Sequence, residues 1–228
     1  MSTAPLPGIR GCLFDAYGTL FDFGSAARQC ADELGAKAEP LTALWRDKQL
    51  QYTWLLAVQR RHPGFEQVTA DALDYALDAL AISVPGLRSR LLQLYRTLQP
   101  FPEVVPVLRQ LRAAGLRLAI LSNGTPDMLR SVTDHAGLSD VFDAVLSVDE
   151  VGIFKPAREV YQLGIDRLGL PVEAVSFQSS NGWDAYGASA FGLPVIWCNR
   201  YAQPMERLPG RPDRTVTSLA ELPALLGL

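Results

Sequence analysis

The sequence predicts an α/β protein: a Rossmann-like parallel sheet core with helices on both faces, plus an inserted all-helical cap. Three observations predict it. From about residue 102 onward, short apolar runs alternate with helical stretches, the pattern of repeated βα units. One further run of this kind, Gly11-Cys12-Leu13-Phe14, stands alone near the N-terminus. Between the two, residues 24–99 show helical periodicity and no convincing strand. A chain of 228 residues that is 48% hydrophobic has enough apolar material for one large domain or a core with a small insert. The expected division is 1–21 and 100–228 for the core and 22–99 for the cap.

The elements follow in order. A first strand is expected over 10–14. In the cap, Leu41, Leu44, Trp45, Lys48, Tyr52, Leu55 and Leu56 recur at three- and four-residue steps, as one helix face does. Helices are also expected over 70–81 and 87–98, separated by Pro85-Gly86. Residues 104–114 form a helix that tolerates Pro106 in its first turn and closes at Gly115. A buried strand over 116–121 precedes Thr125-Pro126-Asp127, which has the form of an N-cap, a first-turn proline and an early acid; that helix stops at Gly137. A strand over 145–148, a helix over 159–168, strands over 174–178 and 194–198 and a helix over 183–191 complete the alternation. Ser218 and Glu221 have capping-box spacing for a last helix.

Composition excludes several functions. A net charge of −3 gives no long-range field for nucleic acid or an anionic membrane. No apolar stretch approaches the ~20 residues of a membrane span, and residues 1–8 lack the basic start and apolar run of a signal peptide. Cys12, Cys30 and Cys198 are too few and too scattered for a disulfide framework, so buried free thiols and a cytoplasmic setting are expected. His62 and His135 stand alone, which suits neither a metal site nor catalysis.

Polar groups stand at four predicted strand ends: Asp15; Ser122-Asn123-Gly124; Lys155 before Pro156; and Ser179-Ser180-Asn181-Gly182-Trp183-Asp184. The C-terminal ends of parallel strands face one crevice, so these groups should converge. Each alone has an ordinary explanation as a turn, a surface lysine or a helix start. Four in this order are a coincidence much harder to accept.

Order and residue type resemble the four motifs of the haloacid dehalogenase superfamily over nearly the whole chain. Finer matches resemble its L-2-haloacid dehalogenase family: Phe14-Asp15-Ala16-Tyr17-Gly18-Thr19-Leu20-Phe21-Asp22, Leu44-Trp45-Arg46-Asp47-Lys48-Gln49-Leu50 with Tyr52-Thr53-Trp54, and the Ser179–Asp184 stretch. Asp47 departs from the uncharged polar residue usual there, at the substrate-facing edge of the cap.

The resemblance implies hydrolysis of short L-2-haloacids to D-2-hydroxy acids through an ester on Asp15, without metal or other cofactor. Phosphatases of this fold hold Mg²⁺ with several carboxylates and carry a second acid two positions after the nucleophile. Here that position is Tyr17, and Ser180 replaces an acid of the fourth motif. Halide needs no proton to leave. Arg46, Asn123 and Trp183 would cradle it. Ser122 and the N–H groups of Ala16 and Tyr17 would hold the substrate carboxylate. Tyr17, Leu50, Phe65 and Trp183 would wall the α-substituent. Lys155 would keep Asp15 ionised, and Thr19 would support it. Asp184, oriented by Lys155, Ser179 and Asn181, would activate water. The resemblance also implies a homodimer, with the cap face of Trp45, Tyr52, Trp54 and Leu55 as its apolar surface. Two alternatives stay open: a Mg²⁺-dependent small-molecule phosphatase of the same fold, and a catalytically silent binding protein on this scaffold.

Overall fold

The computed structural model describes residues 5–228, so the first half of the segment read as lacking a signal peptide lies outside the described residues. Among the described residues six strands form one parallel sheet: β1 (Gly11–Phe14), β2 (Arg117–Ser122), β3 (Ala144–Ser147), β4 (Val175–Ser179), β5 (Val195–Cys198) and β6 (Arg214–Val216), in the order β3-β2-β1-β4-β5-β6. All four residues of β1, all five of β4 and the last five of β2 are buried. Such continuous rather than alternating burial follows from helices covering both faces. The chain order reverses between β1 and β4, which opens a crevice at their C-terminal ends. Register aims the site into it: Phe14 pairs with Ile120 on one side and Gln178 on the other. Asp15, Ser122 and Ser179 therefore leave the sheet along one edge.

The covering helices are α6 (Val104–Ala113), α7 (Pro126–His135), α8 (Arg158–Leu168) and α9 (Gly182–Phe191), each within a residue or two of its predicted bounds. Thr125 caps α7 by accepting from the Met128 N–H. The capping box at Ser218 and Glu221 forms as expected, but it opens a 3₁₀ turn before a single helical turn, Leu222–Leu225. Strand β6 escapes the sequence pattern because only one of its three residues is buried.

Between β1 and α6 the chain is helical. Its two ends meet where the Asp22 N–H donates to Gln99 O (2.9 Å) and the Phe101 N–H to Leu20 O (3.0 Å). Two single-turn helices, α1 (Ser25–Gln29) and α2 (Ala31–Leu34), precede α3 (Ala38–Val58), α4 (Phe65–Ala79) and α5 (Leu87–Tyr95). Two expectations are corrected here. Helix α4 starts five residues early, because Phe65, Val68 and Thr69 of its first turns are buried. The buried row of α3 is Leu41, Trp45, Gln49 and Thr53, every fourth residue, rather than the expected face of Leu41, Leu44, Trp45, Lys48, Tyr52, Leu55 and Leu56. Leu55 is exposed, and two of the four buried side chains are polar.

Candidate active site

Asp15 follows β1 directly and is almost fully buried. Its Oδ2 accepts from Thr19 Oγ1 (2.8 Å), Asn181 Nδ2 (2.8 Å) and Ser179 Oγ (3.3 Å), and its Oδ1 accepts from Lys155 Nζ (3.1 Å). One oxygen is thus tied by three neutral donors and the other by a single ammonium. The turn that makes this possible needs Gly18, which sits at φ +89° with the Phe23 ring against it. Thr19 also accepts from the Ser180 N–H (2.7 Å), fixing the turn after β1 to the end of β4.

Lys155 Nζ lies between two carboxylates, donating also to Asp184 Oδ2 (2.9 Å). Asp184 is wholly buried, and Tyr161 of α8 donates to its Oδ1 (2.8 Å). This corrects one expectation: Ser179 and Asn181 orient Asp15, whereas Asp184 is held by Lys155 and Tyr161. Burial pushes Asp184 above the ordinary carboxylate value, Lys155 opposes the shift and the Asp15 charge adds to it. Burial alone would pull the Lys155 ammonium down, but Asp15 and Asp184 together more than reverse this and hold it above its usual value. Burial, and then the Asp184 charge, pushes the Tyr161 hydroxyl well above 10, so it serves Asp184 as a donor.

The helical segment supplies the opposite wall. Arg46 of α3 donates from Nη2 to Asn181 Oδ1 (3.1 Å) and Tyr17 O (3.3 Å), and from Nη1 to Gln49 Oε1 (2.7 Å). Its Nε–H and the Trp183 indole N–H are buried without a protein acceptor. Arg46, Leu50, Asn181 and Trp183 line a cavity of about 280 Å³, with Asp47 and Glu206 at its rim. The Tyr17 ring stacks on Tyr95 (centroids 5.3 Å apart) and lies 5.7 Å from Phe65. The β2 turn approaches so closely that a Cβ at Gly124 would lie 2.8 Å from the Tyr17 ring. Ser122 is buried and accepts from the Gly124 N–H (3.1 Å), while Asn123 Oδ1 accepts from the Lys155 N–H (3.0 Å).

This arrangement has counterparts. The haloacid dehalogenase-like hydrolase profile matches residues 9–192. An (S)-2-haloacid dehalogenase of Pseudomonas sp. strain YL is 46% identical over 212 residues, 92% of this chain and 91% of that protein. The chain belongs to the (S)-2-haloacid dehalogenase family. A dehalogenase crystal structure with an intermediate complex matches with a TM-score of 0.94 at 40% identity, covering 97% of this chain and 98% of that one. The L-2-haloacid dehalogenase from Xanthobacter autotrophicus, solved with chloropropionic acid covalently bound, matches with a TM-score of 0.89 at 37% identity, covering 96% and 98%.

Three polar residues of this dehalogenase-family site carried no assigned role in the sequence: Gln49 lies inside a matched motif, and Tyr161 and Tyr95 lie outside the motifs. Tyr161 sits on the buried face of α8, where an aromatic residue reads as core. Gln49 and Tyr95 come from α3 and α5, and only the packing of those helices brings them behind Arg46 and Tyr17. A glutamine on the buried row of α3 was the one available signal. Among the described residues, no three His, Cys, Asp or Glu side chains are grouped to hold a metal, and the charge between Asp15 and Asp184 comes from Lys155.

Proposed function

We propose that this chain hydrolyses short (S)-2-haloacids, the L-2-haloacids, to D-2-hydroxy acids, with Asp15 as nucleophile and without a metal. The observation that carries this reading is the asymmetric binding of Asp15. Oδ1, with a single partner, is the freer oxygen and attacks the α-carbon in line with the departing halide. One inversion results, together with an ester between Oδ1 and the α-carbon. Oδ2, already facing Thr19, Ser179 and Asn181, is the ester carbonyl oxygen. Its three donors are placed to stabilise the negative charge that develops when water attacks the Asp15 carboxyl carbon. Asp184 accepts a proton from that water, its raised pKa making it a better base than an ordinary carboxylate. Collapse of the tetrahedral intermediate breaks the bond between Oδ1 and the Asp15 carboxyl carbon; Oδ1 leaves on the α-carbon as the product alkoxide, which takes up a proton, and the water oxygen remains in the regenerated Asp15 carboxylate.

Arg46, Asn123 and Trp183 receive the halide. The unpartnered Arg46 Nε–H and Trp183 Nε1–H support this, because buried donors without acceptors are costly unless a ligand meets them. Ser122 and the N–H groups of Ala16 and Tyr17 hold the substrate carboxylate, and Tyr17, Leu50, Phe65 and Trp183 enclose the α-substituent. Tyr17 counts against the phosphatase alternative. Burial pushes its hydroxyl well above 10, which removes it as an acid for an alcohol leaving group.

In this reading residues 22–99 act as a cap over a core formed by 1–21 and 100–228. A homodimer would use the exposed Trp54, Leu55 and Val58 of α3. Trp45, also expected on that surface, is buried and donates its indole N–H to Thr69 O (2.8 Å). All three cysteines are free and buried, which supports a reducing, cytoplasmic setting. No described helix is long and apolar enough to cross a membrane.

The test is halide release from each enantiomer of 2-chloropropionate in excess EDTA, with Asp15→Asn as control. Release from the (S) form alone, lost in the variant, supports the proposal. Silence with both enantiomers, alongside Mg²⁺-dependent phosphate release from a generic ester, overturns it.

A further inference from the structure

The geometry points to Gln49 as a positioning residue that fixes Arg46 through a neutral oxygen and so keeps the full guanidinium charge available to the departing halide. The inference rests on the dehalogenase reading above and assigns a further determinant of its first chemical step.

Gln49 is 1% exposed, in the middle of the buried row of α3. An unpaired amide there would be costly, yet this one is engaged at both ends. Its orientation is unambiguous, because Arg46 can only donate. The oxygen must face Arg46 Nη1 (2.7 Å), and Nε2 then donates to Thr69 Oγ1 (2.7 Å) and to Tyr95 OH (3.2 Å). Thr69 Oγ1 in turn donates to Phe65 O (2.7 Å), and the Tyr95 ring stacks on Tyr17. One amide therefore joins Arg46 on α3, the backbone of Phe65 on α4 and the Tyr95–Tyr17 stack.

The neutrality of this setting is its chemical content. Among the described residues, the oxygens that accept from Arg46 are uncharged, among them Gln49 Oε1, Tyr17 O and Asn181 Oδ1. The guanidinium also lies over the Phe23 ring, its carbon 5.1 Å from the ring centroid. Buried arginines commonly pair with a carboxylate, which fixes the side chain but neutralises its charge. Gln49 gives the same fixation by a charge-assisted hydrogen bond and leaves the charge unspent. A preorganised cation aimed at developing negative charge acts in this way without reorganisation during reaction.

Leaving-group dependence distinguishes this role from simple packing. Chloride is the poorer leaving group and depends more on stabilisation than bromide does. Weakening the Arg46 charge should therefore slow chloride release more than bromide release, whereas general loosening of the fold slows both alike. The experiment measures single-turnover halide release from (S)-2-chloropropionate and (S)-2-bromopropionate by the native chain, Gln49→Glu and Gln49→Met. Gln49→Glu keeps the Arg46 contact and neutralises its charge; Gln49→Met keeps the volume and removes both hydrogen-bonding atoms.

With Gln49→Glu, chloride release is expected to fall about 10- to 100-fold, and the bromide-to-chloride rate ratio to rise roughly fivefold. Gln49→Met, with a mobile Arg46, should show the same direction of change in the ratio. A ratio unchanged in both variants, or chloride rates within about twofold of native, overturns the inference. If Gln49→Glu does not fold, the ratio in Gln49→Met decides. Failure of the native chain to release either halide would instead overturn the dehalogenase reading itself.

Discussion

Replacing Lys155 with methionine removes the one charge that separates two buried carboxylates. Lys155 is 1% exposed and lies 3.1 Å from Asp15 and 2.9 Å from Asp184, which are 6% and 0% exposed. Removing one partner of a buried ionic group costs about 3–5 kcal/mol when the charge left behind stays ionised. Here two like charges remain, so one carboxyl is driven to hold a proton and its folded pKa rises. A carboxyl whose folded pKa exceeds its unfolded value of about 3.9 contributes stability that is complete below that value and disappears as pH rises through the folded pKa. Lys155→Met should therefore lose about 3–5 kcal/mol at pH 8 and about 1–3 kcal/mol at pH 5. The native Lys155, held above its usual value, stays charged across this range. At ~2–4 °C per kcal/mol for a chain of this size, the melting temperature of the variant at pH 8 falls by about 6–20 °C. The assay is thermal and urea unfolding of both proteins at the two pH values, with halide release alongside. Adding Asp184→Asn should restore much of the stability at pH 8 and none of the activity. Equal destabilisation at pH 5 and pH 8 would refute the reasoning, because it would show that no proton is taken up to relieve a carboxylate pair.

Three further outcomes are expected. Arg46→Ala should lower the rate of halide release about 10²–10³-fold, the cost of one preorganised donor (roughly 2.7–4 kcal/mol), and should cost about 1–3 kcal/mol in urea unfolding because the buried Gln49 Oε1 loses its donor. Tyr161→Phe removes a donor that lowers the Asp184 pKa; the acidic limb of the kcat–pH profile should move to higher pH, and an unmoved limb would separate Tyr161 from the water-activating step. Gly124→Ala places a Cβ 2.8 Å from the Tyr17 ring and 3.1 Å from Leu129, overpacking that should cost about 1–3 kcal/mol in unfolding experiments and raise KM as Tyr17 shifts.

Much of the molecule is legible in the chain itself. Residues Gly11–Phe14 announce a buried strand because every side chain is apolar or small, and the carboxylate that follows can only lie at the strand's end. The strand–helix alternation after Pro102 needs no tertiary information, since each element carries its own period and caps. The short strand β6 and the start of α4 were obscure because their signal is local and weak: three residues with only Val216 buried in one case, and a first turn in which Glu66 and Gln67 separate Phe65 from Val68 in the other.

The sequence by itself determined the parallel sheet, the convergence of Asp15, Ser122, Lys155 and Asp184 on one edge, and the residue types available for chemistry there. Only the tertiary structure decided how those groups divide the work: Thr19, Ser179 and Asn181 on one oxygen of Asp15, Lys155 shared by two carboxylates, Tyr161 rather than Ser179 or Asn181 on Asp184, and Gln49 behind Arg46. Strand ends are placed by a short-range pattern repeated along the chain. Hydrogen-bond partners drawn from α3, α5, α8 and the strand ends are placed by packing between segments up to 166 residues apart, and no local periodicity records which side chains will meet.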